Sequence, residues 1–192
     1  MLSTQSVAQT PKTIRPVVEA FGLEIGDPIQ NFTAKDIHHQ TYSLDDALVN
    51  GPVVLIFIRG QWCPFCNKHL SQIQDSLPLI YAKGASVVVI SPEKSEFIAK
   101  TIEKTGAEFT ILYDEDYRIS DAFDVTFKPD SITRTMVNMM LGAQLKDSHS
   151  DDTERLPIPA TYIINQNRTI KWRHFDRNYK KRSNLQDIIN NL

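Results

Sequence analysis

The sequence predicts a single α/β domain built on one mixed sheet with helices on both faces. Three observations carry that prediction. Segment 53–58 is apolar at every position and 85–91 at all but Ser86 and Ser91, as central strands covered by helices on each side are. A helical pattern with Pro near its start follows each of them, the second stopped by Gly106. The chain has 192 residues, 41% of them apolar, which suits one domain with a real core and is short for two.

Taken in order, residues 1–21 read as a polar extension with a short helix around 16–21, and 22–192 as the domain. Gly26-Asp27-Pro28 is a turn signal. Alternation at 29–33 and 41–43, around Asp36-Ile37-His38-His39, predicts an N-terminal hairpin. Ser43 caps a short helix with Asp45 and Asp46 in its first turn, where the macrodipole favours acid. Gly51-Pro52 opens the strand 53–58, Arg59-Gly60-Gln61-Trp62 ends it, and a helix runs over 64–81. After the strand 85–91, Ser91-Pro92-Glu93 starts a helix with Pro92 at its first position, and Gly106 stops it. Residues 109–113 form a third strand and 118–123 a short helix.

Residues 126–157 read as an insertion. Its first half sets Ile132, Met136 and Met140, with Val137 and Leu141, at helical spacing, the pattern of a helix packed on the core. Met136, Met139 and Met140 would also suit an adaptable lid or a partner-binding helix. Its second half, 146–155, reads as a polar, acidic, mobile loop. Strands over 160–164 and 169–174 then flank an Asn165-Gln166-Asn167 turn. Ser183 with Gln186 forms a capping box for a last helix over 184–192.

Net charge is −2, so no global field draws the chain to nucleic acid or membrane. The run 53–58 is far too short to cross a bilayer, and 1–13 lacks the apolar core of a secretory signal. A cytoplasmic location is the expectation. Residues 168–182 hold seven Lys/Arg and one Asp, interleaved with Trp172, Phe175 and Tyr179. That is read as a solvated strand and loop rather than a nucleic-acid surface. His38, His39, His149 and His174 show no partner spacing.

There are two cysteines, Cys63 and Cys66. A disulfide-stapled domain needs more, at wider spacing. A zinc site needs two further ligands; His69 lies one turn past Cys66 but reads as a surface helix residue, so neither metal nor cofactor is expected. The pair follows a buried strand and opens a helix, in Trp62-Cys63-Pro64-Phe65-Cys66. Two intervening residues across the first helical turn bring the sulfurs within reach of a reversible disulfide. The free amides of the helix start favour a thiolate on Cys63, and Pro64 at the first position gives up no hydrogen bond. Cys66, a turn deeper, is expected to be the more buried of the two and the resolving thiol. Arg59 is placed either to lower a nearby thiol pKa or as a solvated strand end, and Trp62 either as a platform beside Cys63 or as packing over the sheet.

Trp-Cys-Pro-Phe-Cys resembles thioredoxin-fold active sites, and Cys-Pro-Phe-Cys is one hydroxyl from the glutaredoxin-like Cys-Pro-Tyr-Cys. The wider chain resembles the peroxiredoxin-like branch of that superfamily, the alkyl hydroperoxide reductase/thiol-specific antioxidant group. Gly26-Asp27-Pro28 with Phe32-Thr33, residues 57–67, Leu112-Tyr113-Asp114-Glu115-Asp116 and residues 157–164 carry the likeness. The resemblance implies a thioredoxin-like fold and two conflicting roles. As in a thioredoxin, Cys63 attacks, Cys66 resolves, and Pro159 takes the place of the cis-proline facing the disulfide. As in a peroxiredoxin, Pro-x-x-x-Thr-x-x-Cys falls on Arg59, Cys63 and Cys66, so Cys66 would attack the peroxide. Cys63 then replaces the threonine, Arg59 the proline, and Pro159 stands where the second arginine belongs.

Those departures remove two groups that polarise a peroxide bond. The favoured reading is therefore a thiol–disulfide oxidoreductase working on a disulfide protein partner. The alternative is a hydroperoxide reductase in which Cys66 or Cys63 is oxidised and the other cysteine resolves it. Either needs an external thiol reductant. A third reading is a non-catalytic binding module. Domains of this fold pair through apolar edges, which leaves a homodimer open.

Overall fold

The structure is a computed structural model that describes residues 14–192, so the stretch 1–13 lies outside the described residues. After a 3-10 turn at Val17–Glu19, the chain forms β1 (Thr33–Lys35), β2 (Thr41–Ser43), α1 (Leu44–Val49), β3 (Val53–Phe57), α2 (Pro64–Asp75) and α3 (Leu77–Tyr81). Then follow β4 (Ser86–Ser91), α4 (Ser95–Thr105), β5 (Thr110–Tyr113), a 3-10 turn at Glu115–Tyr117 and α5 (Arg118–Ala122). The chain continues through β6 (Thr126–Phe127), α6 (Ser131–Met140), α7 (Leu145–Ser148), β7 (Leu156–Pro157), β8 (Ala160–Ile164), β9 (Ile170–Phe175) and α8 (Leu185–Asn191). Seven strands make one sheet in the order β2-β1-β5-β4-β3-β8-β9, and β6 pairs β7 separately. The centre, β3-β4-β5, is parallel; β8 joins β3 antiparallel and β9 joins β8 likewise.

Strand alternation sorts the core into two layers. Val54, Ile56, Val87, Val89 and Ile111 face Leu70 and Ile73 of α2, Ile98 of α4 and Ile188 of α8. Val53, Leu55, Phe57, Val88 and Ile90 face Leu44 and Leu48 of α1 with Ile119 and Phe123. The two cysteines and Trp62 belong to the first layer, so the functional turn is anchored by packing and not hung on a loose loop. Leu70, fully buried on α2, is one such anchor, and truncating it to Ala removes about 2–5 kcal/mol.

Several boundaries differ from the sequence reading, each for a local reason. The first hairpin strand is Thr33–Lys35, not 29–33, because Asp36 Oδ1 accepts the His38 and Gln40 N–H groups and fixes the turn there. The helix over 64–81 is two helices, broken at Ser76 ahead of Pro78, whose ring and missing N–H cannot continue a ladder. The helix after β4 starts at Ser95, not Pro92, because the Glu93 side chain turns inward to the 60–61 backbone. Asn184, not Ser183, caps the last helix, its side chain accepting the Gln186 N–H. Ser183 is committed elsewhere, to His69 and Thr161.

The insertion departs most. Of the apolar residues on α6 only Val137 is buried, while Ile132, Met139 and Met140 are 81%, 80% and 78% exposed, so that helix is not packed on the core by its methionines. Its second half is no open loop. It forms α7 and buries Ser148, His149 and Arg155. Arg155 pairs with Asp121 at 3.0 Å and Asp151 at 3.3 Å. Tyr117 Oη lies 2.5 Å from both His149 Nδ1 and the Arg155 carbonyl. The charged residues that read as solvated satisfy one another inside.

Candidate active site

The turn between β3 and α2 presents the pair. Cys63 is the N-cap of α2 with extended backbone, Pro64 opens the helix, and the Cys63 N–H closes the turn on the Gly60 carbonyl at 3.1 Å. The Cys66 N–H points to Cys63 Sγ at 3.4 Å, one of the helix-start amides meeting the sulfur as an N-cap acceptor. The Cys66 thiol donates to the same sulfur at 2.7 Å. Both thiols are free and both are buried, Cys63 as fully as Cys66, so the expected difference in burial between them is absent.

The electrostatics separate them instead. Arg59 is buried, not solvated, and its Nη2 donates to Cys63 Sγ at 3.1 Å. Burial alone would raise the Cys63 pKa. The Cys66 S–H and the Arg59 guanidinium, with Arg182 behind them, overcome it and hold the thiol at about 5. Burial pushes the Cys66 thiol well up, and the bond and charge of Cys63 push it further. At neutral pH the first cysteine is the thiolate and the second keeps its proton.

The residues around the pair were only partly legible. Trp62 is buried, with the Arg59 guanidinium 4.9 Å from its ring centroid. Pro159 is buried just ahead of β8 with a trans peptide, and no polar contact ties it to the sulfurs. His69 is buried, not on the surface. Burial, then the Arg182 charge, lowers its pKa to about 4, and its Nε2 lies 3.0 Å from Ser183 Oγ.

Arg182 is the residue that sequence reasoning missed. Its Nη2 stands 3.3 Å from Cys66 Sγ and 3.9 Å from Cys63 Sγ. It sits at the end of the basic run read as solvated. A second residue of that run, Tyr179, packs beside the pair. Tyr179 takes the Arg59 guanidinium on its ring at 3.9 Å and meets Phe65 edge-on at 5.7 Å. The signal available was the aromatic interleaving of the basic stretch, which marked it as a packed segment without saying against what.

Comparison with known proteins decides the family. The AhpC/TSA family model matches residues 25–173. The chain belongs to the AhpC/TSA family. Among curated proteins, it is 22% identical over 130 residues to the thiol-disulfide oxidoreductase ResA of Bacillus thuringiensis (strain Al Hakam), covering 65% of this chain and 74% of that one. It is 28% identical over 103 residues to peroxiredoxin Bcp of Bacillus subtilis (strain 168), covering 54% of this chain and 65% of that protein. A cysteine-to-serine mutant of Xylella fastidiosa PrxQ superposes with a TM-score of 0.68 at 17% identity, over 88% of this chain and 94% of that one. Peroxidoxin BcpB of Mycobacterium tuberculosis gives 0.64 at 21% identity, over 80% and 86%. The expected fold, that of the thioredoxin-like peroxiredoxins, is therefore the fold of this AhpC/TSA chain.

Proposed function

We propose that this AhpC/TSA member is a thiol–disulfide oxidoreductase in which Cys63 attacks and Cys66 resolves. The observation that carries the reading is the Cys63 sulfur itself, at a helix start, accepting from Cys66 and Arg59 and ionised near pH 5. The thiolate displaces one sulfur of a partner disulfide, and the first partner thiol leaves. The Cys66 thiol then gives up its proton and attacks the Cys63 sulfur, the Cys63–Cys66 bond forms, and the second partner thiol is released. An external thiol reductant, a cytoplasmic setting and a disulfide protein partner accompany this reading, and homodimerisation is compatible with it. The likeness to ResA supports it.

A second reading is favoured by Arg182. The guanidinium missing at position 159 is supplied instead from the segment after β9, beside Cys66. It gives a leaving hydroperoxide oxygen a cation, and the buried sulfurs suit a small substrate. In that reaction the Cys63 thiolate takes the distal oxygen, the rest of the peroxide leaves as alcohol or water, and Cys66 condenses with the sulfenic acid and releases water. The charge difference between the two thiols supports Cys63 over Cys66 as the attacking cysteine in this reading too.

One pair of variants tests both. Cys66→Ser, mixed with a disulfide substrate, is expected to trap a mixed disulfide on Cys63, and Cys63→Ser to trap none. A mixed disulfide on Cys66 instead would overturn the assignment. The rate of the fully reduced protein with hydrogen peroxide, followed through Trp62 fluorescence, separates the two reactions. A rate orders of magnitude above that of a free thiolate selects the peroxidase.

A further inference from the structure

The reaction as written uses the two thiols and two arginines and leaves one buried carboxyl under the same turn unused. Glu93 follows β4 and has no exposed surface. Its Oε2 accepts the Gln61 N–H at 2.7 Å, inside the turn that Cys63 closes on Gly60. Its Oε1 has no hydrogen-bond partner among the described residues, and neither has the Trp62 indole N–H. A Cβ added at Gly60, whose φ is +143°, would lie 2.5 Å from that Oε1 and 2.7 Å from Trp62 Nε1. Glycine stands there because the carboxyl and the indole already fill the space beneath the turn.

The charges facing Glu93 come from each neighbouring element. From α4, Lys104 Nζ donates to the Gln61 carbonyl at 3.1 Å, and Lys100 adds a second cation further off. From the insertion, the His149 backbone bridges that of Glu93, and burial keeps the His149 ring neutral down to about pH 4. From the turn itself comes the Cys63 thiolate. Burial raises the Glu93 pKa to about 8, against the Gln61 N–H and the two lysines, and the Cys63 charge pushes the same way.

We propose that Glu93 is a positioning residue for Cys63 that also holds the spare proton of the redox centre. The proposal rests on the reading of Cys63 and Cys66 as that centre. While Cys63 is a thiolate the carboxyl keeps its proton, and the buried turn carries one negative charge rather than two. When a disulfide or hydroperoxide substrate takes two electrons from the pair, the Cys66 proton leaves and the sulfur–sulfur bond removes the Cys63 charge. The Cys63 share of the push on the Glu93 proton disappears while burial remains, and in a window just below pH 8 that proton passes to solvent. Reduction takes up both protons again.

The test is the pH profile of alkylation of the reduced protein by iodoacetamide. Wild type is expected to show two inflections, one where Cys63 ionises near pH 5 and one near pH 8. At the upper one the new carboxylate makes the thiolate more basic and raises its rate about twofold. Glu93→Gln keeps an oxygen for the Gln61 N–H; it should keep the lower inflection and lose the upper. Infrared titration of wild type gives a second readout that needs no variant. The protonated carboxyl band is expected to persist to higher pH in the reduced protein than in the disulfide form. An upper inflection retained in Glu93→Gln, or a carboxyl midpoint identical in both redox states, overturns the role of Glu93. A profile with no lower inflection overturns the redox reading itself.

Discussion

Two buried polar clusters sit in this domain and their arginines do opposite things. In the insertion, Arg155 is sandwiched between Asp121 and Asp151 and lies on the Tyr117 ring, 4.4 Å from its centroid. Its charge is neutralised where it stands. At the β3–α2 turn, Arg59 and Arg182 meet thiols and aromatic rings, and among the described residues neither pairs with a carboxylate. Their charge is left to act on sulfur. A buried cation with a carboxylate partner holds structure, and a buried cation with a thiol partner changes chemistry.

Five measurements would break or sharpen that contrast. The largest effect is expected from Cys63→Ser, which should abolish disulfide exchange in a turnover assay while leaving thermal unfolding close to wild type. Surviving exchange would move the chemistry off this cysteine. Next, Arg155→Met strands two buried carboxylates and should cost about 3–5 kcal/mol in urea unfolding, with the alkylation rate of the folded protein unchanged. A slower alkylation would show the two clusters to be one. Arg59→Met should do the reverse. The Cys63 pKa climbs, and the alkylation rate at pH 6 drops by about tenfold for each unit that it rises above that pH. Arg182→Met, acting from 3.9 Å, should lower the same rate less.

The smallest effect belongs to His69. Its folded pKa of about 4 lies below the ordinary 6.5, so between those values the unfolded chain binds the extra proton and stability falls as pH falls. Against His69→Gln, the stability advantage of wild type should therefore shrink on going from pH 6.5 toward 4, by at most about 1.4 kcal/mol per pH unit. Urea titrations at several pH values check it, and a pH-independent difference would contradict the burial of a neutral imidazole.

What could be read from the chain was what is local. β3, the Cys63 cap, Pro64 and the Gly106 stop all depend on residues within a few positions of one another, and each stands where its pattern puts it. Arg182 reaches Cys66 across 116 positions, Ser183 reaches His69 across 114, and Glu93 reaches the Gln61 backbone across 32. No periodicity encodes such meetings. Arg182 inside a basic run and Arg155 inside an acidic one look alike as solvated charge until the sheet brings their partners to them. The capping box at Ser183 failed for the same reason, since a distant histidine competed for the hydroxyl and won.

The segment over the sulfurs also sets a size limit. Arg182 stands against both buried sulfurs, and Tyr179 covers Arg59 and meets Phe65, which is 36% exposed. A thin oxidant needs only a gap between those side chains. A folded protein offering its own disulfide would have to displace Arg182 and Tyr179, with loss of the Arg59–Tyr179 and Phe65–Tyr179 contacts. The ratio of rates with a slim and a bulky disulfide thus measures how often that cover opens.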